Sequence, residues 1–312
     1  MAETSGLLLA GAALVLWSVS PFFFTGTGRL IGPFATNLLR LLFACIALAA
    51  IVAAQRAFGH ASPMPALPAW IWLAISGVVG LTIGDAWLYK AFVSVGPERT
   101  SQIQTLAPAA TAAIAWVALR EFLSGPQVLG MALILGGVLM ATTAAARASR
   151  AAPATGNTQD TAAAKGAAAG IWAAIWSALF QAVGTVLARQ AFKSQPDLDP
   201  VLATAIRVGA GTAALWGYAR WRGPIGPALG RWREPRALKL MAAGVLFGPL
   251  LGMLCYVAAL KSAPAGLVTT ITFMAPLLII PIGAVAYGTR VTAASVWGTA
   301  LSLGGVALLG LG

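Results

Sequence analysis

The stretches PFATNLLR (Pro33–Arg40) and PVLATAIR (Pro200–Arg207) decide the reading of this chain. Each sets a proline at the start of a long apolar run and an arginine seven residues later, and the two stand 167 residues apart. The same offset relates Gly77 to Gly244, Tyr89 to Tyr256 and Pro97 to Pro264. After a slip of one residue, Pro108 answers to Pro276, Gly130 to Gly298, and Gly136 and Gly137 to Gly304 and Gly305. Chance supplies one such match easily, but an ordered series along the whole chain marks an internal duplication.

Around these stretches the composition is that of a lipid-embedded protein. Of the 312 residues, 59% are hydrophobic and 9% charged, whereas soluble domains run at about 45–50% apolar and about 25% charged. A membrane-spanning helix needs about 20 mostly apolar residues. Ten segments qualify, near 5–25, 33–54, 69–93, 97–119, 125–145, 166–192, 199–221, 237–260, 264–287 and 291–312. Backbone groups in lipid must bond within their own segment, so runs of this length imply helices. The polar, basic stretch ARASRAAPATGNTQDTAAAK (Ala146–Lys165) reads as a flexible linker. It separates a first five-helix unit, 1–145, from a second, 166–312. Five crossings is an odd number, so the second unit must enter the membrane upside down relative to the first. Secondary transporters use such inverted repeats to hold a site near the bilayer midplane. The expected architecture is therefore all-α, ten transmembrane helices in two inverted five-helix repeats around a central cavity.

The net charge of +12 would suggest nucleic acid in a soluble protein. Here the bases fall mostly between apolar runs and act as topology signals and lipid contacts. Cys45 and Cys255 both lie inside apolar runs, so neither a disulfide framework nor a metal site is expected. Met1 to Ser5 hold Glu3 and no base, which speaks against a cleaved secretory leader. Lone His60 lies in a proline-rich loop with no second ligand nearby. Paired carboxylates, a nucleophile elbow and a phosphate loop are lacking in any convincing context. No enzyme activity, cofactor or metal is expected.

The ordered set of Leu16-Trp17-Ser18, Pro33 to Arg40, Pro200 to Arg207, Ala107-Pro108, Ala275-Pro276 and EFLSGPQVLGMALILGG (121–137) resembles the drug/metabolite transporter superfamily. The likeness is to its ten-helix metabolite exporter (EamA-like) branch and, within that, to bacterial aromatic amino-acid exporters. The repeat is imperfect at one point, where Thr289 stands in the place of Glu121. The resemblance implies a bacterial inner-membrane exporter of small zwitterionic metabolites working by alternating access as a monomer or weak dimer. Its partners are a small solute and membrane lipid.

Asp85 is the one carboxylate well inside a span. A charge at that depth is costly unless it faces a cavity or a partner. It is expected to bind a substrate amino group or a coupling proton, with Tyr89 one helical turn away; a bond to Tyr89 near the interface is the structural alternative. Ser177, Gln181 and Thr185 lie four residues apart on one face of helix 6, beside Trp172 and Trp176; such a stripe lines a cavity or glues helices together. Ser101, Gln102, Thr105 and Pro108 on helix 4 are answered by Thr269, Thr272, Phe273 and Pro276 on helix 9. The matched prolines Pro108 and Pro276 suit a rocking gate. On helix 1, Trp17 lies too deep for an interfacial belt, next to Ser18, Ser20 and Pro21. Tyr256, the mate of Tyr89, completes the proposed lining. Arg40 and Arg207 lie about two turns into their helices and are expected to snorkel toward opposite membrane faces. Gly80, Gly84, Gly244, Gly248 and Gly252 read as packing faces.

A cation antiporter would want buried negative charge, and the first helix holds no acid in its apolar run; a lipid head-group flippase is the other alternative. Orientation receives two opposed indications. Thirteen loop bases lie on the side of the 146–165 linker against five on the other, which places that linker in the cytoplasm and the termini outside. The family resemblance implies the reverse.

Overall fold

The computed structural model describes residues 2–59, 62–104, 106–150, 160–223, 230, 233–275, 277–278 and 293–309. Its elements are helices: α1 (Ala2–Ile31), α2 (Pro33–Ala57), α3 (Leu67–Gly77, a π-helical stretch Val78–Gly84, then Asp85–Gln104), α4 (Leu106–Leu119) and α5 (Gly125–Arg150). The second unit comprises α6 (Asp160–Ser194), α7 (Pro200–Arg222), α8 (Pro235–Val245, a π-helical stretch Leu246–Gly252, then Met253–Ser262), α9 (Ala265–Thr272) and α10 (Ala293–Leu309). Among the described residues, five stretches are long and apolar enough to cross a membrane: Thr4–Gly28, Phe34–Ala57, Leu67–Ala91, Ala168–Ser194 and Pro235–Ser262. Leu106–Leu119 and Gly125–Met140 are shorter apolar helices.

Local chemistry sets several boundaries. Gly32 has φ +89° between α1 and α2, a left-handed conformation open to glycine at little steric cost. Pro33 then opens α2 at a position where no backbone N–H is needed. Asp199 caps α7 by accepting from Leu202 N at 2.8 Å, again followed by proline.

Two boundaries depart from expectation. The described residues at the two ends of the 146–165 stretch, 146–150 and 160–165, are helical. The break expected between the third and fourth helices near 94–96 does not occur, since the helix continues from Asp85 to Gln104 through Pro97. Its mate breaks at Ala263, which is extended (φ −136°, ψ 156°) before Pro264. A proline ring clashes with the Cβ of the preceding residue in the helical conformation. Ala263 has that Cβ and Gly96, ahead of Pro97, does not.

Equivalent helices of the two units pack on each other: α2 on α7, α4 on α9 and α5 on α10, while α1 lies on α8 as α6 lies on α3. They run antiparallel. A Cβ on Gly137 would collide with the Gly298 carbonyl and Ser302, and one on Gly305 would meet the Gly130 carbonyl at 2.6 Å. As one index rises from 130 to 137, its partner falls from 305 to 298. The same sense holds for α2 and α7, where Trp216 donates to the Leu38 carbonyl at 3.2 Å and Thr212 to that of Leu41 at 3.2 Å. Two units related by an in-plane pseudo-two-fold axis have this geometry. Both also carry a π-helical stretch with glycine at its third and seventh positions, VVGLTIG and LFGPLLG. Such π-helical insertions occur frequently at functional sites.

Candidate functional site at the junction of the two units

Asp85 is the first residue after the π-helical stretch of α3 and is 4% exposed. Both its oxygens are engaged: Arg40 Nη2 donates to Oδ2 in a short ion pair, and Gln181 Nε2 donates to Oδ1 at 2.8 Å. Arg40 also donates from Nε to Asn37 Oδ1 at 3.0 Å, and its guanidinium lies 5.4 Å from the Tyr89 ring centre and 5.9 Å from that of Phe24. Four helices, α1, α2, α3 and α6, thus converge on one neutralised carboxylate. A buried ion pair with its lone pairs and protons satisfied is the form in which charge is tolerated away from water.

The mate of Arg40 has a different environment. Arg207 is 1% exposed and among the largest fully buried side chains. Its Nη1 donates weakly to Met253 Sδ at 3.5 Å, its guanidinium stands 5.8 Å from the Tyr256 ring centre, and its buried Nε has no partner. Among the described residues it pairs with no carboxylate. The repeat explains why: the residue 167 positions after Asp85 is Gly252, and a Cβ there would strike the Trp17 indole. Where the first unit has an acid, the second has Gly252 covered by Trp17 of α1, whose Nε1 donates to Gly248 O at 3.2 Å and whose ring lies 5.0 Å from that of Tyr256, tilted by 41°. The two charged ends adjoin. A Cβ on Gly80 would sit 3.2 Å from Arg207 Nη2 and 3.9 Å from Gln181 Oε1. One carboxylate and two guanidiniums leave the cluster with net positive charge, arginine being protonated under all ordinary conditions.

The sequence-predicted residues divide accordingly. Asp85, Tyr89, Gln181, Trp17 and Tyr256 come together. The stripe on α6 is buried and extends further than expected: Ser177 accepts from Gln104 Nε2 at 2.8 Å, Gln181 holds Asp85, Thr185 shares a short hydrogen bond with the Tyr256 hydroxyl, and Arg189 reaches Glu121. Thr269 adjoins the Tyr256 hydroxyl while donating to Ala265 O at 2.6 Å. Ser18 and Thr272 spend their protons on their own helices, at Leu14 O and Val268 O. Trp176 is 45% exposed on the outer face, its ring 6.0 Å from Phe180, and is not part of the cluster. Pro108 is buried within α4. Thr105 and Pro276 lie outside the described residues, as does the side chain of Gln102. Among the described residues, the side chains of this cluster pack on one another.

Arg40 and Arg207 correct the snorkelling expectation: both point inward and approach one cluster instead of opposite faces. Depth from the helix start was the wrong guide, because a mid-span acid and its desolvation cost select a cation of matching reach. The signal was present in the sequence, as repeat-matched arginines beside a lone carboxylate.

A second ion-pair knot closes one end of the bundle. Glu121 accepts from Arg189 Nε at 2.7 Å and from Ala265 N at 3.0 Å, with Lys193 Nζ at 3.4 Å. Arg189 donates in turn to the carbonyls of Leu260 (2.6 Å) and Lys261 (2.9 Å), and Lys193 to Leu119 O at 2.7 Å. The end of α4, the end of α8 and the start of α9 are thereby tied to α6.

Antiparallel helical units with small-residue crossings and long apolar helices define a multi-pass membrane protein. The EamA-like transporter family matches residues 4–143 and again 168–311, and the chain belongs to that family, a membrane transporter of small solutes made of two domain repeats. A solved structure titled "Crystal structure of protein" is similar over 98% of each chain, with a TM-score of 0.73 and 21% sequence identity, a likeness of fold. No curated protein matches the chain.

Proposed function

We propose that the chain is a secondary transporter that exports small zwitterionic metabolites, aromatic amino acids foremost, across a bacterial inner membrane by alternating access through ten crossings. The observation that carries this reading is the cluster Arg40–Asp85–Gln181–Arg207, buried where the two inverted units meet. Intramembrane charge marks substrate or ion pathways because its desolvation is otherwise uncompensated. Trp17, Tyr89 and Tyr256 frame the cluster with aromatic surface, and stacking against such rings contributes about 0.5–1.5 kcal/mol per pair. Pro108 and Pro276 remain the proposed hinges, and the protein acts as a monomer or weak dimer with bilayer lipid as its surroundings.

The cation-antiporter alternative loses ground for a stated reason: Asp85 is already neutralised by Arg40, and the cluster carries excess positive charge. Uptake of labelled phenylalanine or tryptophan into proteoliposomes, run beside a cationic dye and a fluorescent lipid, tests the reading. Accumulation of the amino acid alone is expected; transport of the dye or lipid in its place refutes it.

A further inference from the structure

We propose that Arg207 is the receptor for a carboxylate on the transported solute, and that the site reads the acid end of its substrate and not the amine. The inference rests on the transporter reading above and sharpens it to a substrate class, organic carboxylates with an apolar or aromatic body.

Charge accounting leads there. Arg207 is buried beyond nine-tenths, its Nε is without a partner, and its one hydrogen bond among the described residues is to a thioether sulfur. A guanidinium removed from water in this state lacks the acceptors that its five N–H donors require. Among the described residues no carboxylate pairs with it, because the repeat position that would hold the acid is Gly252, occupied from the side by Trp17. A planar carboxylate answers the guanidinium fork with two parallel charge-assisted hydrogen bonds, a match that a point anion or a neutral amide does not make. The fork lies against the α3 backbone, where a Cβ at Gly80 would crowd Arg207 Nη2 at 3.2 Å. The Tyr256 and Trp17 rings beside the guanidinium offer a surface for the body of the solute. An ammonium group finds the opposite situation, since Arg40 and Gln181 occupy both Asp85 oxygens.

The test is an isosteric series against the purified full-length protein, read both as competition for phenylalanine counterflow in proteoliposomes and as ligand-induced thermal stabilisation. Phenylalanine and 3-phenylpropionate, which lacks the amine, are expected to act within a few-fold of each other. Phenylalaninamide and phenethylamine, which lack the anion, are expected to be weaker by roughly 100-fold or more, the scale set by leaving a buried polar partner unmet. A phenylphosphonate separates planar carboxylate recognition from general anion binding and is expected to be weak. R207K keeps the charge without the fork and should cost about tenfold, with the carboxylate preference retained in direction, because lysine binds as a point charge. R207Q should abolish the preference; if it does not fold, R207K and the wild-type series decide. Stabilisation by carboxylates but not their amides in a protein that transports no amino acid sustains the assignment and removes the amino-acid reading. Amines acting as well as the acids, phosphonate equalling carboxylate, or carboxylate stabilisation undiminished in R207K and R207Q overturns it.

Discussion

Replacing Asp85 with asparagine removes one negative charge from a site that has only one. The isostere keeps an acceptor for Gln181 Nε2 but turns an NH2 group toward Arg40, donor against donor, and leaves Arg40 without its counter-charge beside an Arg207 that has none. Truncating one member of a buried, hydrogen-bonded pair costs about 3–5 kcal/mol, most of it the penalty of the charge left behind. The pair here is 11% and 5% exposed at its side chains, inside that regime. D85N is therefore expected to lose about 3–5 kcal/mol of unfolding free energy, measured by titrating sodium dodecyl sulfate into mixed micelles and following circular dichroism. R40Q alone should lose a similar amount, leaving the carboxylate on Gln181. The double variant D85N/R40Q restores complementarity between two amides, and its loss should fall short of the sum of the single losses by at least about 2 kcal/mol, a coupling on the scale seen for residues in contact. Additive losses, or a D85N protein within about 1 kcal/mol of wild type, would refute the view that this pair is desolvated and mutually compensating.

Other consequences follow from the helix crossings and the peripheral knot. Gly137→Ala should destabilise by about 1–3 kcal/mol, because its Cβ meets the Gly298 carbonyl and Ser302 with no room to yield. Gly136→Ala, facing open space, should be neutral or gain up to about 1 kcal/mol; equal losses at the two positions in the same titration contradict the crossing. E121Q unties Arg189 and Lys193 from the α9 start and should lose about 1–3 kcal/mol, the price of leaving charged donors unmatched, with the wild-type advantage shrinking as salt rises. Trp176→Ala, on the outer face, should leave transport kinetics within about twofold of wild type, a change under 0.5 kcal/mol in barrier height.

The duplication and its inversion were legible because they rest on spacing: paired prolines, glycines and tyrosines at one offset survive any uncertainty about boundaries. Asp85 was legible because one carboxylate in a long apolar run has few ordinary explanations. The α6 stripe was visible from its four-residue spacing, though not its continuation to Arg189 near the end of the same span. The partners of Asp85 were hidden for a physical reason. Position along α2 gives the depth of Arg40 but not its azimuth, and azimuth is what aims the side chain at α3 instead of lipid. The bare guanidinium of Arg207 was hidden further, since it depends on Gly252 standing opposite Asp85 and on Trp17 filling the space. The break expected before Pro97 and not found there turned on a single Cβ, present in Ala263 and absent from Gly96. Trp176 misled because an aromatic next to a polar stripe is one residue, and so about 100°, away from the face that matters.

The claim that a solute passes through the charged junction of two inverted units is tested most directly by counterflow of labelled phenylalanine in proteoliposomes holding wild type or D85N/R40Q, each normalised to folded protein. Wild type is expected to accumulate label well above protein-free vesicles, and the folded double variant to stay at their background. Accumulation by the double variant at the wild-type rate would place the pathway elsewhere.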